Sequence, residues 1–198
     1  MSANRTAMDI RPTAIPDIKL ITPVRHGDHR GFLSEVYNRR MLAEAGIDID
    51  FVQDNHTYSA QVGILRGLHF QSPPYAQTKL VRVLRGAVVD VAVDLRHGSI
   101  TFGRHVMVEL TAESWTQILV PRGFAHGVLT LAPGTELSYK VDTYFAPDYD
   151  HGVRWDDPDL AIPWPLATEN IFLSKKDRGQ PLLRDLPSYF NCPQPSML

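Results

Sequence analysis

The sequence predicts an all-β protein, a sandwich or barrel of short strands. Three observations support this: short runs rich in β-branched and aromatic residues, turn residues between most of them, and no alternation of strands with helices. The runs are IKLIT (18–22), GFLSEVY (31–37), FVQDNHTY (51–58), KLVRVL (79–84), VVDVAVDL (88–95), HVMVEL (105–110), TQILV (116–120) and ELSYKV (136–141).

Two further segments complete the predicted domain, which spans 1–198. The run NRRMLAEAG predicts a helix that Asn38 caps and Gly46 ends. From Asp156 onward prolines recur, which predicts loops and short turns that wrap the barrel surface. We expect an N-terminal strand region at about 8–60, a barrel at about 61–150 and a C-terminal wrapping segment at about 151–198.

Composition excludes several classes of function. Hydrophobic residues make up 43% of the 198 residues, enough for a sizeable core, and the mixed charges sum to −2, which disfavours nucleic-acid binding. There is no GxGxxG or P-loop motif, so no nucleotide cofactor of those classes is expected. No apolar run approaches the ~18 residues of a membrane span, and MSANRTAMDIRP lacks the apolar region of a secretory signal. The single cysteine, Cys192, indicates a reducing compartment, the cytoplasm.

The stretch GILRGLHFQ, residues 63–71, places Arg66 and His69 among residues typical of a buried strand. One explanation is a strand that lines a polar cavity. Strict alternation would put Arg66 and His69 on opposite faces, because three positions separate them. Gly67 lies between them, and glycine within a strand often marks a bulge. If both side chains belong to one cavity, the strand must be irregular near Gly67, or Arg66 must reach the cavity from the strand's entry.

Other polar residues interrupt apolar strands. Asp90, in the middle of VVDVAVDL, faces a polar cavity, pairs with a cation, or lies on an exposed face. Alternation groups Lys79 with Val81, and Tyr139 with Leu137. A tyrosine among apolar neighbours is usually a core residue whose hydroxyl finds a hydrogen-bond partner.

The run PRGFAH has the form P-x-G-x-x-H and resembles the second motif of the cupins, a family of β-jelly-roll proteins. In metal-binding cupins its histidine, here His126, is a ligand, and the first motif supplies an H-x-H pair. Here the matching place reads LHFQ, with His69 alone. Two histidines fall short of the three protein ligands of a catalytic metal. We therefore expect a cupin barrel whose metal site is absent or degraded.

Taken in order, the motifs GILRGLHFQ, QTKLVRVLRGAVVDVAVDLR, TFG, VPRGFAHG, ELSYK and LSKKD resemble the dTDP-4-dehydrorhamnose 3,5-epimerase family, and DHRGFLSEVYN and FVQDNH fit it too. The resemblance covers about residues 8–187. It implies a cupin-type jelly-roll barrel or sandwich with a few short peripheral helices, a homodimer, and no metal or organic cofactor. It also implies inversion of C3 and C5 in a dTDP-linked 4-keto-6-deoxy sugar.

The resemblance assigns a role to each matching position. It implies His69 as the base, Asp177 as the carboxylate that orients His69, Tyr139 as the proton donor on the other face of the sugar, and Lys79 as the cation near the developing oxyanion. The implied substrate-binding positions are Arg66 at the diphosphate, Gln53 and Asn55 near the thymine, and His126 at the sugar. Lys176, next to Asp177 in the sequence, and Asp150 match further binding positions. Arg30 and Glu35 match positions that the family supplies from the partner subunit.

The sequence also departs from the family pattern. Arg122 and Asp150 stand where the family often has Glu, and a one-residue length difference precedes LSKKD. Tyr144 matches an aromatic residue associated with inversion at both carbons. Three alternatives remain open: a metal-dependent cupin with His69 and His126 as ligands, an epimerase acting at C3 or C5 alone, and a sugar-binding cupin without activity.

Overall fold

The computed structural model describes residues 8–192, and almost all of its regular structure is β-strand. Most of the stretch examined for a secretory signal, and the last six residues of the wrapping segment, lie outside this range. The strands are β1 Asp9–Pro12, β2 Lys19–Thr22, β3 His26–Asp28, β4 Gly31–Leu33, β5 Gln53–Ser59, β6 Leu65–Gln71, β7 Lys79–Arg85, β8 Ala87–Asp94, β9 Arg96–His97, β10 His105–Thr111, β11 Gln117–Val120, β12 Phe124–Thr130, β13 Thr135–Val141, β14 Asp150–Gly152 and β15 Phe190–Asn191. The helices are α1 Arg39–Glu44 and α2 Lys175–Arg178, with 3-10 turns at Pro147–Tyr149, Thr168–Asn170 and Leu183–Asp185.

Two antiparallel sheets face each other, which confirms the predicted all-β fold of cupin type. The first sheet has the order β1-β2-β11-β7-β13-β5, and the second has the order β10-β8-β12-β6-β14. Strands that are distant in sequence pair within each sheet, as in a jelly roll. The N-terminal strands β1, β2 and β5 belong to the first sheet together with strands from the middle of the chain.

An apolar core fills part of the space between the sheets. Alternation along β7 and β8 turns Val81 and Val83 of the first sheet toward Val88 and Ala92 of the second, and all four are buried. The other members of this core are Ile15, Ile18, Val106, Leu110, Ile118, Val120, Phe124, Val128 and Leu137. The polar cavity described below continues along the same interior.

The outer face of each sheet is covered by a different part of the chain. The C-terminal segment lies on the second sheet, where Trp155, Leu160 and Ile171 pack against Leu68 and Leu129. The segment contains the short turns Thr168–Asn170 and Leu183–Asp185. Since Leu68 is fully buried, Leu68→Ala would cost ~2–5 kcal/mol of stability.

Helix α1 covers the outer face of the first sheet. Its Leu42 packs with Ile21, Leu80 and Leu119 of that sheet. The Asn38 side chain accepts a hydrogen bond from the backbone N–H of Met41, so the predicted cap is confirmed.

The predicted strand at 31–37 is wrong beyond Leu33, because side chains replace the strand ladder there. Ser34 accepts a hydrogen bond from Trp115 Nε1 at 3.1 Å, and the carbonyl of Val36 accepts one from Gln117 at 2.7 Å. Strand β12, which contains the PRGFAH histidine, was not among the predicted strands. No helix in the described part of the chain is long and apolar enough to span a membrane.

Candidate active site

A cavity of about 290 Å³ lies between the two sheets, and polar side chains from both sheets and the C-terminal segment line it. Seven of the twelve residues predicted for the site lie on its wall. The lining residues are Thr57, Arg66, His69, Lys79, Val81, His126, Val128, Leu137, Tyr139, Ser174, Lys176 and Asp177.

Strand β6 is irregular at Gly67, as the sequence required if Arg66 and His69 share a cavity. His69 pairs with His126 of β12, whereas Arg66 pairs with Val128, so the register shifts by one residue between them. Gly67 has a φ of +138°, and an added Cβ would lie 2.5 Å from the Cα of Gly127. Only glycine fits this bulge, and the bulge turns Arg66 and His69 to the same side of the strand.

His69 and Asp177 form the first His–Asp pair. Nε2 of His69 lies 2.5 Å from Oδ1 of Asp177, a residue of α2 in the wrapping segment. Ser174 caps α2 and donates its hydroxyl to Oδ2 of Asp177 at 2.7 Å. Burial raises the pKa of the Asp177 carboxyl, but hydrogen bonds from His69 and Ser174 outweigh it and hold that pKa below its usual range.

His126 and Asp90 form a second His–Asp pair on the neighbouring strands β12 and β8. Nε2 of His126 lies 3.0 and 2.9 Å from the two carboxylate oxygens of Asp90, which is fully buried. Among the three explanations for Asp90, the structure therefore supports a buried carboxylate with a partner that faces the cavity. The exposed-face explanation is wrong, because Asp90 is 0% exposed and shares its face of β8 with Val88 and Ala92, which belong to the core between the sheets.

Lys79 and Tyr139 face these pairs from the first sheet. Strand partners share a face, and Tyr139 pairs with Val81 while Val141 pairs with Lys79, so Lys79 and Tyr139 lie on the same inner face. Burial lowers the pKa of Lys79 from 10.5 to about 8, although the charges of Asp150 and Asp90 partly oppose the shift. Burial and the charge of Asp150 raise the pKa of Tyr139. Tyr139 is therefore protonated at neutral pH.

Cations lie on the cavity wall beside these groups. Arg66 is exposed, and its guanidinium donates to Ser59 Oγ at 3.2 Å and to the carbonyl of Tyr58 at 3.1 Å. Lys176 pairs with Asp150, which stands just outside the lining set. The resemblance implies a binding role for Asp150, and in this structure its carboxylate contacts Lys176.

Gln53 and Asn55 lie on β5 at the edge of the first sheet. Asn55 pairs with Tyr139 and therefore points to the inner side, next to the cavity. Gln53, two positions away on the same strand, points to the same side. Gln53 donates to Asn55 Oδ1 at 2.9 Å and accepts from the backbone N–H of Phe145 at 3.1 Å.

Arg30 and Glu35 lie apart from the cavity. Arg30 belongs to the turn between β3 and β4 and pairs with Asp28 at 2.5 Å, and Glu35 accepts from Asn38 at 3.1 Å. Within residues 8–192 of one chain, neither residue contributes to the cavity wall.

Sequence reasoning missed Ser174 and Thr57 on the wall. The spacing Ser-x-x-Asp in LSKKD is that of a capping box and could have identified Ser174. It also left Arg122 without a role. In the structure Arg122 donates to Asp142 Oδ2 and to Thr143 Oγ1, each at 3.1 Å. Within the described residues, no group of three or more His, Cys, Asp or Glu is arranged to hold a metal ion.

Comparison with known proteins identifies one family. The model of the dTDP-4-dehydrorhamnose 3,5-epimerase family matches residues 12–185. A curated dTDP-4-dehydrorhamnose 3,5-epimerase from Sinorhizobium fredii is 48% identical over 183 residues, which cover 92% of this chain and 93% of that protein.

Solved structures agree. The dTDP-4-dehydrorhamnose 3,5-epimerase from Bacillus anthracis, with TDP and PPi bound, is 50% identical at a TM-score of 0.86, covering 89% of this chain and 99% of that one. The dTDP-6-deoxy-D-glucose-3,5-epimerase from Legionella pneumophila, in complex with dTDP-4-keto-L-rhamnose, is 42% identical at a TM-score of 0.89, covering 93% and 98%.

Proposed function

The chain belongs to the dTDP-4-dehydrorhamnose 3,5-epimerase family, and we propose that the cavity between its two sheets is where this epimerase acts. The reaction converts dTDP-4-dehydro-6-deoxy-D-glucose to dTDP-4-dehydro-L-rhamnose by inversion of C3 and C5. Each inversion removes a proton beside the ketone, passes through an enolate, and returns a proton to the opposite face. One observation carries the proposal: His69 lies on one sheet, and Tyr139 lies on the sheet that faces it.

His69 is the base in this proposal. Its Nε2 donates to Asp177, which leaves Nδ1 without a proton and able to accept one from the sugar. Asp177 fixes this tautomer and stabilises the imidazolium that forms.

Tyr139 donates the proton on the opposite face, and Lys79 stabilises the enolate oxygen. The raised pKa of Tyr139 keeps its hydroxyl protonated, so that the hydroxyl is able to donate its proton to the enolate. Lys79 carries its charge below pH about 8, and in a partly enclosed cavity a fixed charge near a developing oxyanion is usually the largest catalytic contribution.

The remaining wall suits a nucleotide-linked sugar. Arg66 and Lys176 supply cations for the diphosphate, and Gln53 and Asn55 lie beside Tyr139 for the base. His126, fixed by Asp90 through Nε2, has Nδ1 available to a sugar hydroxyl. Asp150 acts through Lys176. The enzyme works in the cytoplasm, where nucleotide sugars are made.

We also propose that the active form is a homodimer in which Arg30 and Glu35 complete the partner's site, because neither reaches the cavity of its own chain. A mixing experiment tests this. Arg30→Ala and His69→Ala proteins, each inactive alone, should regain activity when mixed, since one site of each mixed dimer then has both residues. Absence of recovery in demonstrated mixed dimers would contradict the shared site.

Incubation of the enzyme with dTDP-4-dehydro-6-deoxy-D-glucose in D₂O tests the function. We expect deuterium at both C3 and C5 of the product, read by NMR. Label at one carbon identifies a single-site epimerase, and label at neither refutes the assignment. Stoichiometric Fe, Mn or Zn in the purified protein, with activity lost on chelation, would instead support a metal-dependent cupin.

A further inference from the structure

The segment 142–149 crosses from one large sheet to the other beside the cavity. It follows β13, which carries Tyr139 and ends at Val141, and it leads into β14, which begins at Asp150. Strand β13 belongs to the first sheet and β14 to the second. The position of this crossing segment therefore affects how the two walls of the cavity face each other.

Side chains hold the crossing segment by its backbone. Gln77 donates to the carbonyl of Thr143 at 2.7 Å, and the N–H of Phe145 donates to Gln53 at 3.1 Å. Two of the three rings on the segment are largely in solvent, since Tyr144 is 66% exposed and Phe145 is 56% exposed. The third, Tyr149, lies at its far end with its ring centroid 4.6 Å from that of Tyr75. Packing of Tyr144 and Phe145 thus contributes little to the position of the middle of the segment, and the backbone hydrogen bonds contribute most.

Gln71 makes the connection to the strand of the base. It ends β6, two residues after His69 and on the same face, and it is only 3% exposed. Its Nε2 donates to the carbonyls of Tyr75 and Tyr144 at 2.7 and 3.2 Å, and its Oε1 accepts from the N–H of Ala146 at 2.7 Å. One buried amide thus joins β6 to the crossing segment by both of its polar atoms.

We propose that Gln71 is a positioning residue that fixes the crossing segment against β6 and so sets the placement of Tyr139 relative to His69. This inference rests on the proposed roles of these two residues. Removal of a proton by His69 and return of a solvent deuteron from the same side do not need the hydroxyl of Tyr139, although both exchange and inversion use the charge of Lys79. Inversion also requires the Tyr139 hydroxyl in register with the opposite face of the sugar. Loss of Gln71 should therefore separate exchange from inversion.

The test uses Gln71→Met, which keeps the length of the side chain and removes its hydrogen bonds. With the sugar nucleotide in D₂O, we expect product formation to fall ~10²-fold, the effect of a misplaced catalytic group. Deuterium incorporation into recovered, uninverted substrate should persist, so the ratio of exchange to inversion rises by about the same factor. An equal fall in both, or no change in either, would overturn the proposal.

Thr130→Val is the matched control. Thr130 is also buried in the second sheet, and its hydroxyl accepts from the N–H of Ile64 at 2.9 Å and donates to the carbonyl of Gln61 at 2.8 Å, away from the cavity wall. This variant loses comparable hydrogen bonds, and we expect the wild-type ratio of exchange to inversion. A raised ratio in Thr130→Val would show that general loosening is the cause and would overturn the proposal.

Gln77→Met provides an independent variant if Gln71→Met does not fold, as judged by circular dichroism. It removes one hydrogen bond to the same segment and should raise the ratio in the same direction by a smaller factor. An unchanged ratio would count against the proposal. Wild-type protein that neither exchanges nor inverts would refute the proposed function itself, so the two failures are distinguishable.

Discussion

The two His–Asp pairs lie side by side on one sheet, yet they differ in where each carboxylate comes from. His69 and His126 are strand partners, but Asp177 arrives from the C-terminal segment, whereas Asp90 belongs to the adjacent strand. The His69 side chain is 28% exposed and that of His126 is 10%. The more open pair suits proton exchange with a substrate, and the pair embedded in the sheet suits fixed recognition of a hydroxyl.

Replacing each histidine by alanine is the strongest test of the different roles of the two pairs. His69→Ala should reduce deuterium exchange at both C3 and C5 by ~10²–10⁴-fold, the usual contribution of a general base. His126→Ala should weaken binding and retain exchange at saturating substrate. Exchange and KM are measured on both variants, and loss of exchange in His126→Ala with retention in His69→Ala would reverse the two roles.

Lys79 faces both pairs, so its removal tests what the opposite wall contributes. Lys79→Met should lower kcat by ~10²–10³-fold, as loss of a group that stabilises a developing oxyanion does. Its fold is checked by thermal melting. A variant with wild-type kcat and a raised KM would place Lys79 in ground-state binding instead.

Replacement of each carboxylate sharpens the comparison further. Asp177→Asn removes a charged hydrogen-bond partner worth ~1.5–3 kcal/mol and should lower kcat by about 10–10²-fold. Asp90→Asn should act chiefly on KM, because its histidine holds the substrate. Steady-state kinetics of the two variants give the answer, and identical effects on kcat would remove the distinction between the pairs.

The pH dependence of kcat tests the role proposed for the charge of Lys79. The pKa of Lys79 is lowered from 10.5 to about 8, so its stabilising charge is present below pH 8 and is lost as the pH rises through that value. We expect kcat to fall about tenfold per pH unit above about pH 8. Asp177→Asn should leave this alkaline limb of the profile in place, and Asp90→Asn should move it to lower pH because the charge of Asp90 raises the pKa of Lys79. Lys79→Arg should move the limb upward because arginine stays charged. A limb unchanged in Lys79→Arg would assign it to another group.

Alternation in the sequence correctly predicted most of the strands that build the walls, though not β12, and it predicted the shared faces of Lys79 with Val81 and of Tyr139 with Leu137. It fails across Gly67, because a bulge changes the face of every later residue in the strand. Gly67 indicated this failure in advance, and the structure has the irregular strand that a shared cavity for Arg66 and His69 requires.

Residues brought in from distant parts of the chain could not be found by pattern alone. Asp177 reaches His69 across 108 positions, a contact that depends on how the C-terminal segment packs on the second sheet. Only the family resemblance pointed to it. The three backbone contacts of Gln71 depend on two loops meeting at the end of β6, and no local sequence signal describes them.

The central claim is that one sheet supplies the base and the facing sheet supplies the donor. Tyr139→Phe in D₂O tests it most directly, because the variant removes only the donor hydroxyl. We predict that deuterium enters recovered substrate through His69 while inversion at C3 and C5 is impaired. Inversion of both centres at the wild-type rate would contradict the claim.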